Sequence, residues 1–258
     1  MDMESDVGVG VVYEQFRLNR LLERIVRKYK IKNTLEAPIY GMAGLTGINS
    51  MGLANFGVKI TLADKKEHVK IAREAWKKTK REVRFVDIKN EELPFKNGEF
   101  DFAYNFAALW YVDDQEKMLD EMCRVSDVVM ICMPNPWNFL FQIRKILGMT
   151  PRNHQWASEK RIAAGLKRRG FQIAEIGILD IPPWPDTVIP IKSVLTWVGL
   201  SKGATWRWSM LDYYMGKTEI EKKVEKYYFI EDSKLPNFIK KLWAHHFYVL
   251  ATRRLANE

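Results

Sequence analysis

The stretch that decides the fold is Thr34-Leu35-Glu36-Ala37-Pro38-Ile39-Tyr40-Gly41-Met42-Ala43-Gly44-Leu45-Thr46-Gly47, followed by Lys59-Ile60-Thr61-Leu62-Ala63-Asp64. Its pattern predicts a short strand, a glycine-rich loop, a helix over about 48–56 and a second strand that ends in an acid. Glycines let a backbone approach a ligand closely, and the helix that follows presents free N–H groups. A carboxylate at the end of the second strand can accept hydrogen bonds from ribose hydroxyls. The segment therefore predicts a nucleoside site in which Asp64 binds the ribose.

The rest of the chain continues this alternation of short apolar runs with amphipathic segments. Strands are predicted at about 33–38, 58–63, 83–87, 100–105, 126–132, 171–179 and 247–252, with helices at about 13–29, 48–56, 66–78, 114–124, 139–147 and 158–169. Strands joined by helical crossovers form parallel sheets that are covered by helices on both faces. We therefore expect an α/β fold, a doubly wound, Rossmann-like and mostly parallel seven-stranded sheet.

Residues 181–243 break the alternation with a Pro- and aromatic-rich stretch that contains five of the nine tryptophans. We expect residues 1–180 plus 244–258 to form the main domain and 181–243 to form a helical lid inserted before the last strand. A small satellite core would use only part of these aromatic side chains, so some should line an apolar substrate pocket. Trp184, Trp206 and Tyr213 are the candidates for substrate binding.

Composition places the chain among ordinary globular proteins. Hydrophobic residues make up 47% of it, and 41 Lys and Arg against 32 Asp and Glu give a formal net charge of +9. These values exclude a disordered or fibrous protein. Two cysteines cannot build a disulfide framework, the acidic N-terminus does not resemble a signal peptide, and no apolar run reaches the roughly 20 residues of a membrane span. We expect a cytoplasmic protein, and the many Lys and Glu residues suit a thermophile.

Several motifs in this order resemble those of class I S-adenosylmethionine-dependent methyltransferases. The similarity is to the small-molecule branch, methyltransferase type 11, which includes the ubiquinone/menaquinone C-methyltransferases. Glu36 matches the acid that opens the first motif of that family, and Asp64 matches its ribose-binding acid. Phe85-Val86-Asp87-Ile88 resembles the third-strand motif, whose acid contacts adenine, and Glu92-Leu93-Pro94-Phe95 with Glu99-Phe100-Asp101-Phe102 resembles the stretch leading into the fourth strand.

The resemblance implies S-adenosyl-L-methionine as the cofactor and a small, apolar or aromatic organic molecule as the methyl acceptor. The cofactor-binding residues that it implies are Tyr13, Arg17, Glu36, Gly41, Gly44, Gly47, Asp64, Lys65, Asp87, Ile88 and Asn105. The loop from Glu36 to Gly47 is longer than the loop of the family, and Pro38 stands where its first glycine would be. The sequence therefore leaves open which of Gly41 and Gly44 approaches the methionine moiety.

The family places the reacting methyl group near the end of the fourth strand, here Tyr104-Asn105-Phe106-Ala107-Ala108. The (N/D/S)-P-P-(Y/F/W) motif of many amino-group methyltransferases is missing there. Trp110 and Tyr111 follow this strand end and are candidates for substrate binding. Their aromatic faces can also attract the sulfonium of the cofactor. His154 and Tyr111 are the candidate catalytic residues, and His154 is the candidate general base by its position. The four histidines show no metal-ligand spacing, so no metal is expected.

Three alternatives remain open. The net charge of +9 and several basic runs would suit an RNA (tRNA) methyltransferase or an RNA-binding protein. An NAD(P)-dependent oxidoreductase also pairs a glycine loop with an acid, but an acid such as Glu36 directly before the glycines is unusual there. Trp137-Asn138-Phe139-Leu140-Phe141, with Arg144 and Lys145, suits an interfacial helix and hence a lipid or quinone acceptor at a membrane surface. The sequence does not indicate an oligomeric state.

Overall fold

Seven strands form one sheet in the computed structural model, which describes residues 8–41, 44–149, 154–184 and 208–253. The strands are β1 Asn33–Glu36, β2 Lys59–Asp64, β3 Arg84–Asp87, β4 Phe100–Phe106, β5 Ser126–Pro134, β6 Gln172–Leu179 and β7 His246–Thr252. Their order across the sheet is β3-β2-β1-β4-β5-β7-β6. β7 runs antiparallel to the other six strands, which all run in one direction. The doubly wound, mostly parallel sheet predicted from the sequence is confirmed.

Helices cover both faces of the sheet. They are α1 Val9–Tyr29, α2 Lys66–Thr79, α3 Gln115–Val125, α4 Phe139–Ile146, α5 Glu159–Arg168, α6 Met210–Tyr214, α7 Glu221–Glu225 and α8 Asn237–Trp243. α3, α4 and α5 begin at Asp114, Asn138 and Ser158, whose side chains accept hydrogen bonds from free N–H groups of the first turn. Among the described residues, no helix has both the length and the apolar composition needed to span a membrane.

The predicted helix after the glycine loop is instead a 3₁₀ helix, Met51–Phe56. Gly52 lies in it, and a Cβ there would come 2.3 Å from Oδ1 of Asn19 on α1. Glycine is a poor helix former, and here it allows the backbone to approach α1 closely. Gly57, with φ of 70°, ends the segment in the left-handed conformation.

The described part of the predicted lid packs on α1. Tyr214 and Tyr228 are buried in the same apolar cluster as Tyr13 and Phe16 of α1, and Asn19 donates a hydrogen bond of 2.8 Å to the hydroxyl of Tyr214. Residues 208–228 thus contribute to the core beneath α1. The division of the chain at residue 181 stays a prediction.

Candidate functional site

A pocket opens at the carboxyl edge of the parallel strands. Its walls come from the loops that follow β1 to β4 and from neighbouring helices, and it is lined by Pro38, Tyr40, Asp64, Lys65, His68, Ile88, Asn90, Glu91, Ala108, Tyr111, Val112 and Met118. The strand order reverses between β1 and β4, and ligands of open α/β sheets bind outside the carboxyl ends at such a point. The structure therefore brings together four predicted site residues, Asp64, Lys65, Ile88 and Tyr111.

Asp64 is buried at the end of β2, and its carboxylate is fully engaged by protein donors. Oδ2 accepts hydrogen bonds of 2.8 Å from the N–H groups of both Ile39 and Tyr40. Oδ1 accepts one of 2.6 Å from the N–H of Lys65 and lies 2.9 Å from Nδ1 of His68. A carboxylate offers about four lone-pair sites. A ribose hydroxyl would therefore have to displace one of these partners, and the His68 side chain is the one free to turn away.

An aromatic wall stands beside Asp64. The rings of Tyr40 and His68 are stacked, with centroids 4.3 Å apart, and Tyr40 meets the ring of Tyr111 edge-on at 5.2 Å. Burial, and then the neighbouring Tyr40, raises the pKa of Tyr111, so its hydroxyl stays protonated at neutral pH. Tyr111 can thus donate a hydrogen bond there, which makes it a poor general base. Tyr40 and His68 were not among the predicted site residues, because nothing in their spacing marks them as neighbours.

A tight turn after β3 closes the pocket on another side. Lys89 and Glu92 pair across it, and Asn90 and Glu91 both adopt left-handed φ angles, 52° and 56°. Such two-residue hairpins usually contain glycine, and left-handed glutamate is strained. The Glu91 carboxylate accepts a hydrogen bond of 3.3 Å from the N–H of Asp113. Asn90-Glu91 contains no glycine, so no sequence pattern predicted this turn.

Asp87 ends β3 and Ile88 directly follows it, but the two side chains have different surroundings. Asp87 pairs in register with Asp64, but its side chain is exposed and outside the pocket lining. Ile88 lines the pocket, and its N–H donates to the carbonyl oxygen of Asp64 at 2.9 Å.

Glu36 is fully buried at the end of β1 and does not line the pocket. Its carboxylate accepts hydrogen bonds from Asn49 at 3.0 Å, Ser50 at 2.5 Å and Tyr104 at 3.3 Å. Burial raises the pKa of Glu36 to about 7, although these three hydrogen bonds act in the opposite direction. In this structure Glu36 joins β1, β4 and the segment before the 3₁₀ helix.

The described glycines of the loop allow close packing or a left-handed backbone conformation. A Cβ at Gly41 would lie 2.6 Å from the carbonyl oxygen of Phe106, at the end of β4. Gly47 has φ of 77°, and a Cβ there would lie 2.7 Å from the Cβ of Ala72 on α2. Gly44 is also left-handed, with φ of 71°. None of the three lines the pocket.

Four other predicted residues form a separate cluster on α1. The Tyr13 hydroxyl lies 2.8 Å from Oε2 of Glu231, and Arg17 pairs with Oε1 of the same carboxylate at 2.9 Å. Trp184 meets the ring of Tyr13 edge-on at 5.5 Å, and Tyr213 packs against Phe16 in the same manner at 4.9 Å. Through these contacts, residues 184 and 213–231 pack against α1.

Three of the remaining predicted residues, Asn105, Trp110 and His154, lie outside the pocket lining. Asn105 is buried, with its amide nitrogen 3.5 Å from the sulfur of Met122. Trp110 is buried and stacks on Phe141 at 6.4 Å, and His154 is half-buried in a short 3₁₀ helix. Trp206 falls outside the residues that the structure describes.

Residues 42–127 match the family model described as a methyltransferase domain. An uncharacterized protein of Methanocaldococcus jannaschii is 29% identical over 123 residues, which are 45% of this chain and 57% of that protein. The chain thus matches a little over half the length of this relative.

Two solved structures share the fold over most of both chains. An S-adenosylmethionine-dependent methyltransferase of Thermotoga maritima has 13% identity and a TM-score of 0.54, over 95% of this chain and 91% of that one. The magnesium protoporphyrin IX methyltransferase of Synechocystis, with bound S-adenosylhomocysteine, has 13% identity and a TM-score of 0.54, over 94% and 84%. At such identities the likeness concerns the fold. These matches do not support the oxidoreductase and RNA alternatives.

Proposed function

We propose that the chain is a class I S-adenosylmethionine-dependent methyltransferase and that it transfers the methyl group of S-adenosylmethionine to a small, apolar or aromatic acceptor; the match of residues 42–127 to a methyltransferase domain supports this. The observation that carries the proposal is the pocket at the β1/β4 reversal, which joins a strand-end carboxylate to apolar and aromatic walls. A nucleoside needs this combination, because its ribose is a hydrogen-bond donor and its base is flat and weakly polar.

The residues in the pocket fit the adenosine half of the cofactor. Asp64 would accept hydrogen bonds from the ribose once His68 turns away, and Ile88, Val112 and Met118 supply apolar surface for adenine. Tyr40 and Tyr111 add aromatic faces on the same side. When bound, S-adenosylmethionine supplies an electrophilic methyl group on a sulfonium, which aromatic faces attract.

The protein's own task in such a transfer is alignment and exclusion of water. Neither candidate catalytic residue suits proton removal: Tyr111 has a raised pKa, and His154 lies outside the pocket lining. We therefore propose that neither of these two side chains serves as a general base.

An exposed apolar surface supports a lipophilic acceptor. We call it the α4–α8 surface; it comprises Trp137, Phe139, Ile143, Ile146, Leu147 and Met149 around α4 with Phe238, Ile239 and Leu242 of α8. Ile146 is 83% exposed and Leu147 is 65% exposed, and the rings of Phe139 and Trp243 are in contact, which joins the two helices. Apolar surfaces of this kind mark sites for membranes, lipids or partners.

The α4–α8 surface also favours a second form of the proposal, in which the acceptor is taken from a membrane surface. Lys145 is exposed beside the apolar residues and would lie near anionic headgroups.

Cofactor binding is the first test of the proposed function. In calorimetric titrations S-adenosylmethionine and S-adenosylhomocysteine should bind at one site per chain, and NAD should not. Binding of NAD without binding of either adenosyl compound would overturn the proposal.

Acceptor choice is the second test. Methyl-labelled S-adenosylmethionine should transfer its label to members of a panel of quinols, phenols and prenylated aromatics. The same assay with tRNA should give no transfer. Any binding to tRNA should be non-specific and should therefore fall steeply as the salt concentration rises. Transfer to tRNA at moderate salt, with none to the panel, would reject the small-molecule acceptor while keeping the methyltransferase.

A further inference from the structure

Three side chains of metal-ligand type meet in the core beside the end of β4. Glu14 comes from α1, Asp180 directly follows β6, and His246 begins β7. All three are buried, and one ligand atom from each lies within 4.8 Å of the others. The His246 ring contacts Phe106, with centroids 4.7 Å apart, so the cluster lies at the carboxyl edge of β4.

Four polar atoms of this cluster lack hydrogen-bond partners. Glu14 has none for either carboxylate oxygen although its side chain is fully buried, and the same holds for Oδ1 of Asp180 and Nδ1 of His246. Nδ1 of His246 lies 3.7 Å from Oε2 of Glu14 and 3.6 Å from Oδ2 of Asp180, too far for hydrogen bonds. A buried carboxylate without a partner is strongly unfavourable, and either a proton or a bound cation would neutralise it.

The spacing suits a shared cation. Oxygen and nitrogen ligands lie about 2.0–2.2 Å from Zn²⁺, so two atoms bound to one ion stand roughly 3–4 Å apart. The two separations measured from Nδ1 of His246 fall in this range.

Asp180 is also held in place by a neighbour. Nδ1 of His245 lies 2.8 Å from its Oδ2, and the N–H of His245 donates to its carbonyl oxygen at 2.9 Å. An outer partner of this kind orients a ligating carboxylate, and Oδ2 keeps a second lone pair that can face the ion.

We propose that Glu14, Asp180 and His246 bind one divalent transition-metal cation. Two carboxylates with one imidazole suit Zn²⁺, Mn²⁺ or Fe²⁺, whereas Mg²⁺ and Ca²⁺ favour oxygen ligands alone. Three protein ligands leave a coordination position open for water or for an oxygen of a small molecule. The sequence predicted no metal because the three residues come from opposite ends of the chain and have no diagnostic spacing.

The test uses the full chain, freed of metal by chelation and dialysis and then titrated with ZnCl₂, MnCl₂ or MgCl₂. We expect one equivalent of Zn²⁺ or Mn²⁺ to bind and to raise the melting temperature, with Mg²⁺ at least ~10-fold weaker. Bound Co²⁺ should give visible d–d absorption. A wild-type chain that takes up neither Zn²⁺ nor Mn²⁺ stoichiometrically overturns the proposal.

Variants assign the ion to these residues. Glu14→Gln and His246→Gln should each weaken Zn²⁺ binding by at least ~100-fold, since each removes a direct ligand. Glu36→Gln is the matched control, because Glu36 is equally buried but its carboxylate already has protein partners. It should bind Zn²⁺ as the wild type does.

Undiminished binding by Glu14→Gln and His246→Gln would overturn the assignment. If these variants do not fold, anomalous scattering from a Zn²⁺-soaked wild-type crystal decides instead. A peak between the three side chains supports the site, and a peak only elsewhere rejects it.

Discussion

Nδ1 of His68 lies 2.9 Å from Oδ1 of Asp64, one helical turn away along the chain, and takes the last lone-pair position of that carboxylate. The other three positions hold backbone N–H groups, two of them from the loop after β1. The residue expected to bind ribose is therefore already paired, and its pairing with His68 can be exchanged for a ribose hydroxyl. Cofactor binding should involve a competition between His68 and the ribose.

His68→Ala should tighten S-adenosylhomocysteine binding by roughly 3–10-fold, because the ribose no longer displaces a hydrogen bond of ordinary strength. Isothermal titration calorimetry measures the change. His154→Ala, a histidine outside the pocket lining, is the control and should leave the affinity as it is. Weaker binding by His68→Ala would mean that the imidazole holds the ligand itself.

Asp64→Asn should weaken S-adenosylhomocysteine binding by about 10–100-fold, since it replaces a charged acceptor of the ribose hydroxyls with a neutral amide. Asp120→Asn removes the same charge from an exposed side chain of α3, paired with Arg169, and should change the affinity by less than about two-fold. Equal affinities of Asp64→Asn and the wild type would place the ribose elsewhere.

Glu36 should make the wild type lose stability as the pH rises from about 4.5 to about 7. Its folded-state pKa of about 7 lies above the ordinary value of 4.5, so in this window the folded chain retains a proton that the unfolded chain has lost. Relative to Glu36→Gln, the wild-type free energy of unfolding should fall by about 3 kcal/mol across the window. Urea unfolding of both proteins at pH 5 and pH 8 measures the difference. Parallel pH profiles would contradict the raised pKa.

Glu231→Gln should destabilise the fold by about 2–4 kcal/mol, because it removes a mostly buried partner of Arg17 and weakens the attachment of residues 228–232 to α1. Chemical denaturation provides the value. Glu23→Gln breaks an exposed pair with Arg27 on the same helix and should cost less than about 0.5 kcal/mol. Similar losses of unfolding free energy for the two variants would show that the Arg17–Glu231 contact does not hold residues 228–232 against α1.

Ile146→Ser/Leu147→Ser should reduce co-sedimentation with anionic liposomes several-fold, because both side chains belong to the α4–α8 surface and are largely exposed. Phe229→Ser is the control, an exposed apolar residue that lies outside this surface. Wild-type protein that stays in the supernatant with liposomes of every composition would reject the membrane-surface form of the proposal.

The sequence by itself determined the order of elements and the place of the site. Alternating apolar runs and amphipathic segments allowed essentially one layered arrangement, and the run Val128–Met133, apolar throughout, became a strand buried on both faces. Asp64, Lys65, Ile88 and Tyr111 reached the pocket because they end strands or follow them within five residues, and the ends of parallel strands meet at one edge.

Tertiary structure alone decided which side chains face one another. The path of the loop after β1, the strained Asn90-Glu91 turn and the rotation of α1 depend on packing between segments far apart in the chain. For that reason the sequence did not predict that Tyr40 and His68 line the pocket. It also did not predict that Tyr13 and Arg17 contact Glu231. Glu14, Asp180 and His246 converge only because α1 crosses the edge where β6 ends and β7 begins. Sequence spacing records periodicity within one element, whereas contacts between elements depend on how the whole core packs.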